Sequence, residues 1–191
     1  VLHRVIVTTP PAIEPITLEE ANTHLRVSGQ DEEVTRLITV ARKSLERYLK
    51  RTFITTQFKV YSECWHECMK LPYPTLQSVE SVKYIDINKA EQTLLEADYY
   101  HVVINDDPGY IKRRYDACYP ELDYGNPDAI SIEYTAGYGN EMTDVPEDIR
   151  HAIKLLITNY YEQRGDIVIG SVTRIPNYIL DLVHDYRIYE F

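Results

Sequence analysis

The sequence predicts an α+β protein in which an antiparallel, β-rich region is inserted between N-terminal helices and a C-terminal helix. Apolar residues recur at helical spacing from Thr17 to Arg51 and again after Asp144, while between about residues 53 and 136 the period falls to two. The 191 residues suit one domain, or one domain carrying a substantial insertion, and are enough for a real core. With 44% hydrophobic and 26% charged residues, the composition gives no support to a disordered, collagen-like or coiled-coil chain.

Taken in order, residues 1–16 read as an extended lead-in. Val5-Ile6-Val7-Thr8-Thr9 runs into Pro10, Pro11 and Pro15, which continue neither a helix nor a central strand. Thr17-Leu18-Glu19-Glu20 matches a capping box, and Leu18, Ala21 and Leu25 form the apolar stripe of a first helix that stops near Val27, before the Ser28-Gly29 turn. Asp31 is a good N-cap for the next helix, which runs to Arg51 with Val34, Leu37, Ile38, Ala41, Leu45, Tyr48 and Leu49 at helical spacing. Glu32 and Glu33 sit at its positive end, and Lys50 and Arg51 at its negative end. The other face carries Arg36, Arg42, Lys43 and Arg47, a local basic stripe in an acidic protein.

Alternation then appears in Phe58-Lys59-Val60-Tyr61, in 79–85 and in 130–134, with turns at 72–74, 86–89, 105–109 and 124–127 spaced like the hairpins of one small antiparallel sheet. Residues 114–128 have no clear period and read as a long loop. After Asp144, Pro146 fits a first helical position, and Ile149, Ala152, Ile153, Leu156 and Tyr160 form the core-facing stripe of a helix that Gly165 ends. Pro176 opens a short helix with Tyr178, Ile179, Leu182 and Val183 on one face, and the alternating run from Arg187 to Phe191 could add to a sheet edge.

Thirty acidic against twenty basic residues give a formal charge of −10, which argues against wrapping nucleic acid, since phosphate binding needs a surplus of Lys and Arg. Three cysteines are a poor disulfide framework and suggest a reducing compartment. No uncharged stretch exceeds nine residues, against the roughly 20 that a membrane-spanning helix needs. No secretory signal is recognisable, and the opening Val1 in place of Met leaves room upstream for an initiator or short leader. Tyrosine is the outlier, 17 residues against three Phe and one Trp, and it suits surfaces that are partly buried in contacts.

Cys64, His66 and Cys68 would share one face of a strand and offer two sulfurs and an imidazole. Three ligands crowded on one strand splay too far for tetrahedral zinc, and only Cys118 could add a sulfur, so free cysteines are the competing reading. Gly137-Tyr138-Gly139 lies between a strand and a helix like a phosphate loop, but Met142 stands where the third glycine belongs; a turn needing positive φ explains both glycines. Ser171 lacks a nucleophile elbow, no histidine falls in a metal-binding spacing, and Asn105-Asp106-Asp107 runs into Pro108-Gly109 as an ordinary turn. No catalytic constellation, metal site or cofactor is assigned.

In order, Ile16-Thr17-Leu18-Glu19-Glu20-Ala21, His24-Leu25-Arg26-Val27, Asp31-Glu32-Glu33 and Tyr48-Leu49-Lys50-Arg51-Thr52 resemble the head–tail connector (adaptor) family of tailed bacteriophages. Leu71-Pro72, Pro74, Leu76-Gln77-Ser78-Val79, then 134–139, 145–150 and Tyr160-Tyr161-Glu162 look like its longer members, which carry a β-rich insertion. The resemblance covers nearly the whole chain and rests on the order and spacing of short motifs. It implies a non-enzymatic virion protein at the head–tail junction, assembled in the host cytoplasm. About twelve copies would form a ring beneath the portal protein, extending the DNA channel toward a tail or stopper protein.

On that resemblance, residues 1–52 and 145–164 form the helical bundle, 53–144 the β-rich insertion, and 165–191 the segment that reaches the portal; its dense apolar series, Ile175, Tyr178, Ile179, Leu182, Val183, Tyr186, Ile188, Tyr189 and Phe191, is the expected contact, with packing back on its own subunit as the alternative. The stripe Arg36, Arg42, Lys43 and Arg47 is then a subunit or partner interface, with a solvated face as the plain alternative. An acidic channel lets genomic DNA slide past without specific binding. A gene transfer particle would use the same adaptor. The competing readings are a tail-completion or stopper protein, and a tail-associated sugar-binding or enzymatic module centred on exposed tyrosines and Trp65.

Overall fold

The computed structural model of the chain describes residues 2–163 and 175–189. The described residues fall into two compact units, each built from two stretches of chain: Val1–Pro11 with Thr55–Tyr138, and Ala12–Ile54 with Gly139–Phe191.

The second unit is helical. Helix α1, Leu18–Leu25, starts at the expected capping box: the Glu20 N–H donates to Thr17 Oγ1 at 3.0 Å and the Thr17 N–H to Glu20 Oε2 at 2.9 Å. It ends one turn sooner than the glycine signal, at Arg26 in the left-handed region (φ 56). Helix α2, Asp31–Leu49, buries Val34, Ile38, Ala41, Leu45 and Leu49. Its cap is Gln30 rather than Asp31, whose carboxylate accepts the Asn22 side-chain amide at 2.9 Å instead.

The unit's third long element is α4, Glu147–Glu162. It packs on α1 and α2 with Ile149, Ala152, Ile153, Leu156 and Ile157 buried. Pro146 is its cap, not its first residue, and the Gly165 stop lies outside the described residues. A short α5, Asn177–Leu182, packs on α4 and leads into a 3-10 turn at His184–Tyr186. The expected closing strand does not form over 187–189; there the Ile188 N–H donates to the Leu49 carbonyl at 3.1 Å, and Glu190 and Phe191 lie outside the described residues. No described helix is long and apolar enough to cross a membrane.

The first unit is the β-rich one. Strands β1 (Leu2–Thr9), β2 (Thr56–Ser62), β4 (Leu76–Ile85), β5 (Glu91–Leu94) and β8 (Ile130–Ala136) form an antiparallel sheet in the order β1-β2-β8-β4-β5. A separate three-stranded sheet runs β3-β7-β6, from Cys68–Lys70, Tyr110–Arg113 and Tyr100–Val103, with the single turn α3 (Glu96–Tyr99) before β6. There are thus two sheets where one was expected. The loop over 114–128 carries no strand or helix, as its lack of period indicated.

The lead-in reading of the N-terminus is corrected. Residues 2–9 belong with the sheet, not with the helical core, and pair along β2 with Val5 opposite Val60 and Val7 opposite Phe58. Pro10 and Pro11 bar a central strand, but an edge strand is bonded on one side only and simply ends before them. Ile6 and Val7 remain 41% and 55% exposed on this edge.

The core of the unit gathers Phe58, Val60, Met69, Leu71, Ile111, Ile132 and Tyr134. Tyr134 stacks on Phe58 at 5.4 Å and donates its hydroxyl to the Pro72 carbonyl at 2.8 Å, so a buried phenol has its partner. Burial drives its pKa well above the ordinary tyrosine value. In the β6–β7 hairpin, a Cβ on Gly109 would lie 2.6 Å from Leu76 Cβ, and only glycine permits that approach.

Candidate functional site

The basic stripe of α2 divides into two kinds of residue. Arg36, Lys43 and Arg47 are exposed and form no ion pair among the described residues. Arg42 is 7% exposed and is not part of that face. Its Nε donates to Glu14 Oε2 at 2.7 Å and its Nη1 to Glu46 Oε2 at 2.8 Å, so one guanidinium ties the lead-in to the helix. Glu46 also accepts the Phe53 N–H at 3.1 Å. Burial nevertheless holds the Glu46 carboxyl above its ordinary range, against the opposing pull of Arg42. The place of Arg42 in the stripe is taken by Val40, 43% exposed, so the outer face reads Arg36, Val40, Lys43, Arg47.

A second tie was not anticipated. Arg150 of α4 donates to Glu20 Oε1 and to Glu147 Oε2, each at 2.7 Å, and to the Pro15 carbonyl at 3.1 Å. The Thr17 N–H, and then the Arg150 charge against the burial cost, hold Glu20 below the usual carboxylate range. The capping-box segment and the Pro146-to-Arg150 segment are therefore two halves of one contact. Their common sequence signal is complementary charge at the two helix starts, Glu20 and Arg150.

The C-terminal residues assigned to the portal are split by the fold. Ile179 and Val183 are fully buried within their own unit, and Ile175, Leu182, Tyr186 and Ile188 are half-buried there. Tyr186 donates its hydroxyl to Asp148 at 3.2 Å, and its carbonyl accepts the Arg51 guanidinium. Arg187 stacks over the Tyr48 ring at 4.4 Å. Only Tyr178 and Tyr189, at 58% and 47%, stay exposed among the assigned residues that are described; Phe191 lies outside them.

Cys64, His66 and Cys68 do not share a strand, because β2 ends at Ser62 and β3 begins at Cys68. Cys64 Sγ lies 3.4 Å from His66 Nε2, while Cys68 and Cys118 are exposed. Among the described residues no group of three His, Cys, Asp or Glu comes together to hold a metal. Chelation is expected to leave the thermal midpoint unchanged; stoichiometric zinc by elemental analysis, with a large drop in stability on its removal, would reverse this assignment.

Trp65 stacks on Tyr119 with centroids 4.4 Å apart and donates its indole N–H to the Pro120 carbonyl at 3.0 Å, so one ring face that a sugar would use is already covered. Gly137 has φ 133, as a turn requires, whereas Gly139 is needed for another reason: a Cβ there would lie 2.0 Å from an Asp144 carboxylate oxygen. A shallow depression over Thr17, Glu19, Glu20, Thr23, His24 and Lys154 contains His24, which burial, then Lys154 and His151, hold below the ordinary imidazole value.

The sequence profile of the family described as head completion protein matches residues 14–189, both helical ends and the β-rich region between them. The chain belongs to the head completion protein family. Membership makes it a structural head–tail connector of a tailed phage or phage-like particle. No curated protein matches it.

Among solved structures, it is similar to a chain in the neck of an empty gene transfer agent particle computed with C6 symmetry (TM-score 0.79, 20% identity, covering 99% of this chain and 97% of that one). It is also similar to one in the virion of a native gene transfer agent particle (0.77, 18%, 99% and 97%) and to one in a native neck computed with C12 symmetry (0.75, 21%, 97% and 97%). At these identities the likeness establishes a shared fold over nearly the whole chain.

Proposed function

We propose that this head completion protein works as a ring of about twelve copies beneath the portal protein, extending the DNA channel and presenting a surface to the next tail component, without catalysis. The observation that carries this reading is the family match over residues 14–189, which leaves neither unit outside the connector pattern. The likeness to neck chains in particles computed with C6 and C12 symmetry supports a ring as the working form. The formal charge of −10 fits a channel lining that repels the phosphate backbone and lets DNA pass.

Portal attachment through the whole apolar series of the C-terminal segment loses its main argument, since Ile179 and Val183 are already out of water. The portal remains the proposed neighbour above the ring. Negative-stain imaging of the purified protein, alone and mixed with portal rings, is expected to show rings capping one end of the portal. Monomers that leave the portal undecorated would overturn the reading.

A further inference from the structure

We infer that the ring contact pairs the outer face of α2 in one copy with the C-terminal turn of the next copy, placing Arg36, Lys43 and Arg47 against Asp181 and Asp185. The inference deepens the ring reading above and rests on it.

Residues 36, 40, 43 and 47 follow one another at steps of four, three and four, so they lie on one line along α2, on the side away from Val34, Ile38, Ala41 and Leu45. Around Val40, 43% exposed, the line presents three cations that form no ion pair among the described residues. The second surface has the opposite character. Asp181 is exposed and the Asp185 side chain wholly so (102%), and they lie in sequence between Tyr178 and Tyr189, 58% and 47% exposed. Tyrosine rings at the border of a carboxylate pair suit arginine, whose guanidinium stacks on an aromatic face while it bonds an acid. The same segment already stacks a guanidinium on an aromatic face within the chain, where Arg187 lies 5.2 Å over the Tyr189 ring.

The charges also select the symmetry. Pairing the α2 face with itself about a two-fold axis sets three cations against three, and pairing the C-terminal turn with itself sets carboxylate against carboxylate, so both isologous dimers are repelled. Joining the two different surfaces is favourable, and a contact between different surfaces repeats head to tail until rotation closes a ring. Charge steering of this kind acts first on the association rate and should weaken with salt.

The test uses the full-length protein, with portal present if the wild type needs it, and two variants: Arg36→Glu/Lys43→Glu/Arg47→Glu and Asp181→Lys/Asp185→Lys. Each is expected to keep the wild-type circular dichroism and to lose ring formation by light scattering, with association slowed about tenfold or more. An equimolar mixture is expected to recover rings, because reversed and unreversed surfaces then alternate around an even-numbered ring. Should a multiple variant lose its fold, Lys43→Glu and Asp185→Lys are read in the same way. A mixture of folded variants that stays monomeric while the wild type forms rings overturns the pairing and leaves the ring reading standing. So does either variant forming rings alone as the wild type does. A wild type that forms no ring, with or without portal, overturns both.

Discussion

Arg42→Met is expected to cost about 3 kcal/mol at pH 7, because it removes the cation from Glu46 and Glu14 while both carboxylates remain partly enclosed. The Glu46 side chain is only 15% exposed, so water cannot replace the guanidinium in full. The pH dependence gives the cause a signature. Glu46 has a folded pKa above its ordinary 4.5, so its contribution favours folding at low pH and is lost as pH rises through the folded value. Without Arg42 that folded value rises further. The deficit of the variant relative to the wild type is therefore largest at neutral pH and narrows as pH falls toward 4.5. Urea unfolding at the two pH values measures it; an equal deficit at both would mean that lost packing, not charge, sets the cost.

Ending the chain after Gln163 is expected to destabilise the helical unit or make the fragment aggregate, since it uncovers the surface that Ile179 and Val183 close at 0% exposure. The milder Ile179→Ala should cost about 3 kcal/mol, the usual range for emptying a well-packed aliphatic site being roughly 2–5. Differential scanning calorimetry distinguishes this from an undocked tail. A truncated protein with near-normal unfolding that no longer binds portal rings would return the segment to a purely docking role.

The long helices α1, α2 and α4 were legible because each declares itself locally. Thr17 and Glu20 cap α1 within four residues, and the apolar lines of α2 and α4 need no knowledge of their partners. Strand β1 was not legible, since Val5, Ile6 and Val7 acquire their meaning only from β2, about fifty residues later. Arg42 shows a signal overlooked: it continues the buried line of Ile38, Leu45 and Leu49 at steps of four, three and four, and so sits on the core side of the helix. What that line could not reveal was Glu14, the carboxylate that makes an arginine tolerable there. The C-terminal series is rich in apolar residues, of which Ile179 and Val183 are buried in their own unit. Whether it covers its own unit or another protein depends on α4, and spacing within the segment does not encode that choice.

The strand order has a consequence for how the protein is made. β8, the last strand to be synthesised, lies between β2 and β4 at the centre of the sheet. On the ribosome the β1–β2 ribbon and the β4–β5 hairpin must therefore wait, each with an open edge, until residue 136 has emerged. At about 5–20 residues per second, the open edge of β2 waits on the order of ten seconds. α1 and α2 wait longer still, because their apolar faces are closed by α4. Both units thus reach their native contacts only after their late elements, β8 and α4, have emerged. The nascent chain is most open to misassociation in the interval before β8, when the facing edges of β2 and β4 have no settled partner.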